Sequence, residues 1–257
     1  MRRRRGRLRR ALRGLRAAHP GLQAAALALA LLAIWGATNW LVQVARKPAE
    51  LFFPVSGALS KTPAETWRSY GRIFRAHSTA VMSPALLAAL AQVEAAGNPV
   101  ARTYWRWRAS TDPFDVYRPA SSAVGMYQIT DGSYREAKRY CIHRHAVAED
   151  GPWHAPRSCW FNAFYLRVVP SHAVEMTSAL LDRRVSEILE RLRIGASLSQ
   201  KQQLAAVIHL CGASAGAAYA RRGFQSAPGQ RCGDHDLRAY LARVESMKQV
   251  FVRLAEA

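Results

Sequence analysis

The sequence predicts an all-α domain behind an N-terminal transmembrane helix. Three observations predict it: an uncharged apolar run near the N-terminus, a series of amphipathic segments with capping signals, and no convincing alternation of polar and apolar residues. Half of the 257 residues are hydrophobic and 9% are aromatic, which excludes a wholly disordered chain. The 37 Lys and Arg residues outnumber the 17 Asp and Glu residues, so the net charge is +20.

The apolar run covers Leu22–Val44 and is long enough to cross a bilayer core of about 30 Å as a helix. Nine arginines within residues 1–16 precede it, and the positive-inside rule therefore keeps the N-terminus in the cytoplasm and exports the rest. A cleaved signal peptide is the alternative, although its apolar region would be unusually long and no clear cleavage motif lies near Ala45.

The arginine run can also be interpreted as a nucleic-acid arm, but beside an apolar span it fits membrane topology and attraction to anionic lipid better. We therefore predict no nucleic-acid partner. The expected organisation is a basic cytoplasmic arm (1–21), a transmembrane anchor (22–45), a linker (46–61) and an exported domain (62–257). The expected topology is a single pass with the domain on the far side of the membrane.

Export also decides how the four cysteines are interpreted, because an even count in an oxidising compartment suggests disulfides. The local pairs Cys141–Cys159 and Cys211–Cys232 are the simplest of three possible connectivities. A metal site is the alternative, since His143, His145 and His154 lie between the first two cysteines. That spacing matches no standard zinc signature, so we predict neither a metal nor a cofactor.

Capping signals divide the exported domain into helices. The region Arg102–Ala120 and the loop Glu149–Pro170 are interpreted as irregular. Three helices are predicted in the first part of the domain: one after a capping box at Thr62–Glu65, one from Ser83-Pro84 to Gly97, and one from an Asp131 cap to about His145. Three more are predicted in the second part: one from a Ser171 cap to Gly195, one after a second capping box at Ser199–Gln202, and one over Leu237–Leu254.

The first candidate for chemistry is Glu94. It ends the apolar segment Ala85–Val93, which is typical of a helix buried on most sides. The negative end of the helix dipole and desolvation both favour the protonated carboxyl, which is the form a general acid needs. A glutamate that points to solvent or pairs with an arginine is the alternative.

The second candidate is the segment Ser121–Thr130. Within it, Gly125 would allow a ligand to approach the backbone, Tyr127 offers a stacking face, and Gln128 offers amide donors and an acceptor. A turn that leads into core residues is the alternative.

Four segments together resemble the lytic transglycosylases of the soluble-lytic-transglycosylase (SLT) type, which have a lysozyme-like fold. They are Val93–Pro99, Gly125–Gln128, Ile208–Gly212 and Asp236–Val244, and they occur in the family's order. Three departures are clear: Ala95 replaces a serine that helps to orient the acid, His209 and Leu210 replace Tyr and Asn, and an insertion separates Glu94 from Gly125.

The resemblance implies a domain that cleaves the MurNAc–GlcNAc bond of peptidoglycan without water. Glu94 would act first as acid and then as base, and Tyr240 would position it or the substrate's acetamido group. The Gly125, Met126, Tyr127 and Gln128 block and His209 would contact the glycan. From the inserted segment, Trp105 and Trp107 either stack on sugar rings or pin the insertion.

Two other functions remain open. A lysozyme-like hydrolase would need a second acid to activate water, and Asp112, Asp115 and Asp131 are the only acids between Glu94 and Glu136. The other is a catalytically silent peptidoglycan-binding module of an envelope-spanning secretion or cell-wall machine. Intact Glu94 argues against the silent module, and Ala95 leaves room for it.

Overall fold

The computed structural model describes residues 19–52, 54–155 and 158–256. Residues 1–18, most of the predicted basic arm, lie outside this description. Within the described residues the chain forms eight α-helices and three two-stranded antiparallel sheets. The elements are α1 (Pro20–Arg46), α2 (Pro63–Ala76), α3 (Pro84–Ala95), β1 (Trp105–Trp107), β2 (Tyr117–Pro119), α4 (Asp131–Ala137), β3 (Tyr140–His143), β4 (Ala146–Glu149), α5 (Pro170–Leu192), α6 (Leu198–Cys211), α7 (Ala213–Arg221), β5 (Arg231–Cys232), β6 (His235–Asp236) and α8 (Leu237–Glu256).

The chain divides into two compact units. The anchor unit contains the described residues up to Glu50 together with Trp105–Pro119, and the helical unit contains Leu51–Tyr104 and the chain from Ala120 onward. The segment that the sequence presents as an insertion therefore belongs with the N-terminal helix.

Helix α1 is the one described helix that is long and apolar enough to cross a membrane, by length and composition. Its leucines are exposed, as expected for a lipid-facing surface. The antiparallel pair β1–β2, with the loop between its strands, packs along the C-terminal part of α1 and is called the β1–β2 hairpin below.

The helical unit is built around α3. Ser83 caps this helix through the Leu86 amide, and all residues from Ala85 to Ala91 are buried, with α2 and α8 packed against the helix. The helix ends because Ala96 adopts a left-handed conformation (φ 49°), which Gly97 continues (φ 63°). This stop leaves Glu94 in the last turn of a helix whose preceding turns are inaccessible to solvent.

Most helix predictions are confirmed, with shifts at the ends. The capping box at Thr62 and Glu65 forms as predicted. The second box uses Ser197 and Gln200 instead of Ser199 and Gln202. Helix α5 begins at Pro170 without a side-chain cap, so the predicted Ser171 cap is wrong.

The prediction of a helix from an Asp131 cap to about His145 is wrong. Thr130 caps α4, which ends at Ala137, and the chain then forms the antiparallel pair β3–β4. The turn between these strands places Arg144 and His145 at φ 49° and 65°, as a two-residue type I′ turn requires. Because neither Gly nor Asn occupies this turn, the sequence lacks the usual signal of a β-hairpin, and the two strands were not predicted. The fold is mostly α, not all-α.

Both predicted disulfides are present, Cys141–Cys159 and Cys211–Cys232. The first joins β3 to the loop before the 3₁₀-helix Trp160–Phe164, and the second joins the end of α6 to β5. Since Cys141 and Cys159 are bonded to each other, they do not serve as the thiolate ligands that the alternative metal site required.

Candidate active site

Glu94 lies in a cleft of about 550 Å³ within the helical unit. Its side chain is 16% exposed, so the carboxyl reaches the cleft although the helix that carries it is buried. Residues from α3, α6, α8 and the loops around Thr103 and Ala123 line this cleft. The carboxyl therefore faces a space that a ligand can enter.

Tyr240 fixes one of these oxygens. Its hydroxyl donates a hydrogen bond of 2.6 Å to Glu94 Oε1, and its ring is buried on α8. Burial, and then the charge of Glu94 and this hydrogen bond, raise the pKa of Tyr240 well above its ordinary value. The hydroxyl thus stays protonated and remains a donor to the carboxyl at physiological pH.

His209 approaches the same oxygen from α6. Its Nε2 lies 3.6 Å from Glu94 Oε1, too long for a hydrogen bond, and the side chain is mostly buried. The ring meets Tyr127 edge-on, with centroids 6.4 Å apart. The structure therefore brings together Glu94, Tyr240 and His209, which are far apart in sequence.

The Gly125–Gln128 block forms a wall of the cleft in a different way from the one expected. Met126 and Tyr127 are fully buried, and the Tyr127 hydroxyl donates to the Leu87 carbonyl at 3.1 Å. Burial raises the pKa of Tyr127 well above its ordinary value, so this donor is permanent. Tyr127 underlies the cleft as part of the core, instead of presenting an open stacking face.

Gly125 and Gln128 hold the turn of this block. Gly125 adopts φ 79°, and a Cβ atom there would stand 2.5 Å from the Arg167 carbonyl oxygen. The glycine is required by this neighbouring backbone, a different reason from ligand approach. Gln128, at φ 47°, donates to the Gly125 carbonyl at 2.9 Å and still lines the cleft.

A second cavity of about 220 Å³ shares Gln128, Thr130 and His209 with the cleft. It extends to Glu136 and Arg184, whose side chains form an ion pair of 2.5 Å. The two spaces therefore adjoin at the three residues that they share.

Among the described residues, Glu94 is the one carboxylate that lines the cleft. The three acids considered as a second catalytic group are engaged elsewhere. Asp112 and Asp115 belong to the anchor unit and pair with Arg46 at 3.2 and 2.9 Å. Asp131 pairs with Arg167 at 2.9 Å and does not cap α4.

Trp105 and Trp107 belong to the anchor unit. The Trp105 indole donates to Glu50 at 2.8 Å, and the Trp107 ring stacks on Trp35 of α1 at 6.2 Å. Within their unit Trp107 packs on the anchor helix and Trp105 bonds to the segment that follows it, contacts that favour the second of the two roles considered for them.

The sequence interpretation missed several residues of the cleft, among them Tyr104, Arg102 and Arg243. Tyr104 is an aromatic side chain with 66% exposure. It directly precedes Trp105 in the sequence, and the predicted aromatic candidates in this segment were Trp105 and Trp107. Arg243 follows Tyr240 by one helical turn, a spacing that could have identified it.

No family model, no curated protein and no solved structure matches the chain.

Proposed function

We propose that this protein is a membrane-anchored peptidoglycan lytic transglycosylase whose helical unit is lysozyme-like. The observation that carries the proposal is a single cleft carboxyl, Glu94, held by the hydroxyl of Tyr240. A single carboxyl that serves as acid and then as base is the minimum that non-hydrolytic cleavage requires.

The absence of a second cleft carboxylate from the described residues favours this chemistry over hydrolysis. Retaining glycosidases with two carboxylates hold them about 5–5.5 Å apart, and inverting ones about 6.5–9.5 Å apart. No described residue offers such a partner to Glu94 across the cleft. Substrate-assisted cleavage, in which the sugar's own acetamido group supports the anomeric carbon, needs none.

In the proposed reaction, Glu94 gives its proton to the glycosidic oxygen, and the bond from that oxygen to C1 of MurNAc breaks. The acetamido oxygen of the same sugar supports the positive charge at C1. The Glu94 carboxylate then takes the proton of the C6 hydroxyl, whose oxygen bonds to C1 and closes a 1,6-anhydro ring. Glu94 is protonated again, and no water is consumed.

The charge of the cleft supports a carboxylate-bearing polymer as substrate. Arg102 and Arg243 line it together with His235, against the single acid Glu94. Basic side chains attract the carboxylates of peptide stems and lactyl groups on the glycan. The second cavity, which adjoins the cleft at Gln128, Thr130 and His209, offers further room for a glycan strand.

We further propose that the protein is held in a bacterial inner membrane by α1 and faces the periplasm. The apolar helix near the N-terminus and the two disulfides, which suggest an oxidising compartment, support this location.

Mass spectrometry of digested peptidoglycan tests the reaction. Anhydro-muropeptides are expected from the wild-type protein, whereas reducing ends would indicate a hydrolase and no product would indicate a silent binding module. Glu94→Gln should lower the rate by about 10²- to 10⁴-fold, since it removes general-acid catalysis while preserving shape.

Glu190→Gln is the matched control, because Glu190 is an exposed glutamate near the end of α5. It should retain full activity. If Glu94→Gln kept more than about a tenth of the wild-type rate, Glu94 would not be the general acid.

A further inference from the structure

The β1–β2 hairpin covers one face of α1 over its last three turns. The side chains of Trp35, Asn39 and Gln43 each donate a hydrogen bond to a main-chain carbonyl of the hairpin, at 3.2, 2.7 and 2.5 Å. A spacing of four places these donors on one side of the helix. Asn39 and Gln43 are buried there, so the hairpin removes two polar side chains from the surface of an otherwise apolar helix.

The length of α1 locates this contact relative to a bilayer. A hydrocarbon core of about 30 Å takes about 20 residues of helix at about 1.5 Å each. Counted from Pro20, the first residue of α1, that core ends near Asn39. Trp35 lies one turn before this point and the Arg46 end of the helix lies beyond it. The hairpin therefore spans the depth where hydrocarbon gives way to headgroups, from one turn inside the core to the Arg46 end of the helix.

The exposed side of the hairpin has the chemistry of that layer. The Trp107 ring, stacked on Trp35 with 14° between the planes, is 68% exposed. Arg106 and Arg108 flank it in sequence, on the opposite face of the strand, and both are exposed, with no described carboxylate paired with either. Tryptophan concentrates at membrane interfaces, and arginine attracts anionic headgroups.

The acids of the hairpin do not cancel this charge. Asp112 and Asp115 are already paired with Arg46, and Asp115 also with Arg118 at 3.2 Å. The hairpin thus directs its unpaired arginines outward while its carboxylates hold the end of the anchor helix.

We propose that the β1–β2 hairpin is a second membrane-contacting element, which seats the Trp107 ring and the Arg106 and Arg108 side chains among anionic lipid headgroups beside α1. This proposal rests on α1 crossing a bilayer and is independent of the reaction at Glu94. It assigns the exposed tryptophan of the insertion to lipid, whereas the sequence left open stacking on a sugar ring or pinning of the insertion.

Photo-crosslinking of the full chain tests the proposal. A photoreactive p-benzoylphenylalanine replaces Trp107, Leu29 or Trp153 in turn, and each protein is reconstituted in vesicles of equal parts phosphatidylcholine and phosphatidylglycerol with soluble glycan strands added. Leu29, on the exposed apolar part of α1, is the positive control, and Trp153, an exposed tryptophan of the helical unit, is the matched aromatic control.

We expect phospholipid adducts at positions 107 and 29 in severalfold excess over position 153. Phosphatidylglycerol should be enriched among the adducts at position 107, and Arg106→Ser with Arg108→Ser should return that enrichment to the bulk ratio. Lipid adducts at position 29 without an excess at position 107, or glycan adducts at position 107, would overturn the proposal while leaving the anchor intact.

Discussion

The hydroxyl of Tyr240 is the hydrogen-bond donor that the described residues direct at the Glu94 carboxyl. It joins α8 to the end of α3 across 146 positions of sequence. Because the ring is buried and its pKa is raised by burial and by Glu94, the donor persists over the physiological pH range. The consequence is a carboxyl with one oxygen fixed and the other facing the cleft.

Tyr240→Phe removes this donor and keeps the ring. Hydrogen bonds to charged groups contribute about 1.5–3 kcal/mol, so the rate should fall about 10- to 100-fold. Tyr219→Phe is the matched control, since its hydroxyl bonds to Gln203 at 3.2 Å away from the cleft. Muropeptide release measures both, and an equal loss in the two variants would contradict a positioning role for Tyr240.

Gly125 shows how a residue near the site can be fixed by the fold alone. Gly125→Ala should destabilise the protein by about 1–3 kcal/mol, because alanine at φ 79° is strained and its Cβ meets the Arg167 carbonyl. Gly132→Ala, in α4 with open space around it, should be neutral or stabilising by up to about 1 kcal/mol. Urea unfolding distinguishes the two, and equal effects would contradict the steric argument.

At the scale of elements, the end of α2 meets α5 through a buried polar cluster. Glu175 of α5 accepts from the Tyr165 hydroxyl at 2.7 Å and from the Ile142 amide at 2.9 Å, and His77 Nδ1 lies 3.6 Å from it. Burial lowers the pKa of His77, with Glu175 opposing and His172 adding to the effect. Burial also lowers the pKa of His172.

These shifts predict a loss of stability in acid. The unfolded chain binds a proton at each histidine as the pH falls through about 6.5, while the folded protein resists it until its lower pKa is reached. Stability should therefore be complete above about pH 7 and decline as the pH falls below about 6.5. His77→Gln should reduce this decline, as measured by thermal unfolding between about pH 7.5 and 5. An unchanged decline would contradict the prediction.

The helices were predictable where local chemistry sets their ends, and the remaining elements were not. Ser83 and Thr62 cap the starts of their helices through local hydrogen bonds, which do not depend on tertiary packing. The β3–β4 pair depends on left-handed Arg144 and His145, which carry no turn signature. Helix α7 was not predicted; a Cβ atom at its Gly216 would stand 2.5 Å from the Ile208 side chain, so the glycine allows this helix to pack against α6.

The sequence predicts the candidate site only in part without the resemblance. Glu94 stands out in the sequence as the acid at the end of an apolar helix, but its role and that of Tyr240 come from the resemblance, since by spacing alone Tyr240 belongs to the apolar stripe of the last helix. The loop residue Tyr104 and the exposed His235 reach the cleft through tertiary folding, which leaves no periodic signal. Tyr127 was predicted to offer a stacking face to a ligand, but its ring is fully buried in the structure.

At the scale of the whole molecule, α1 should remain attached to the mature protein. The helix extends from Pro20 to Arg46, and its last turns hold the β1–β2 hairpin through five side-chain hydrogen bonds. We expect the protein to stay in the membrane fraction after alkaline carbonate extraction. Release on osmotic shock, or a mature N-terminus beyond Ala45, would contradict this expectation.

The point where the β1–β2 hairpin joins the helical unit indicates how a soluble form of this protein could be produced. The Ala120 amide bonds to the Tyr104 carbonyl at 2.8 Å, so the two ends of the inserted segment already meet within the helical unit. Trimming only the N-terminal helix would strip Trp107 and the hairpin carbonyls of their cover and leave an aggregation-prone aromatic surface. Excising the hairpin as well, with a short turn between Tyr104 and Ala120, would remove that surface and spare every residue that lines the cleft.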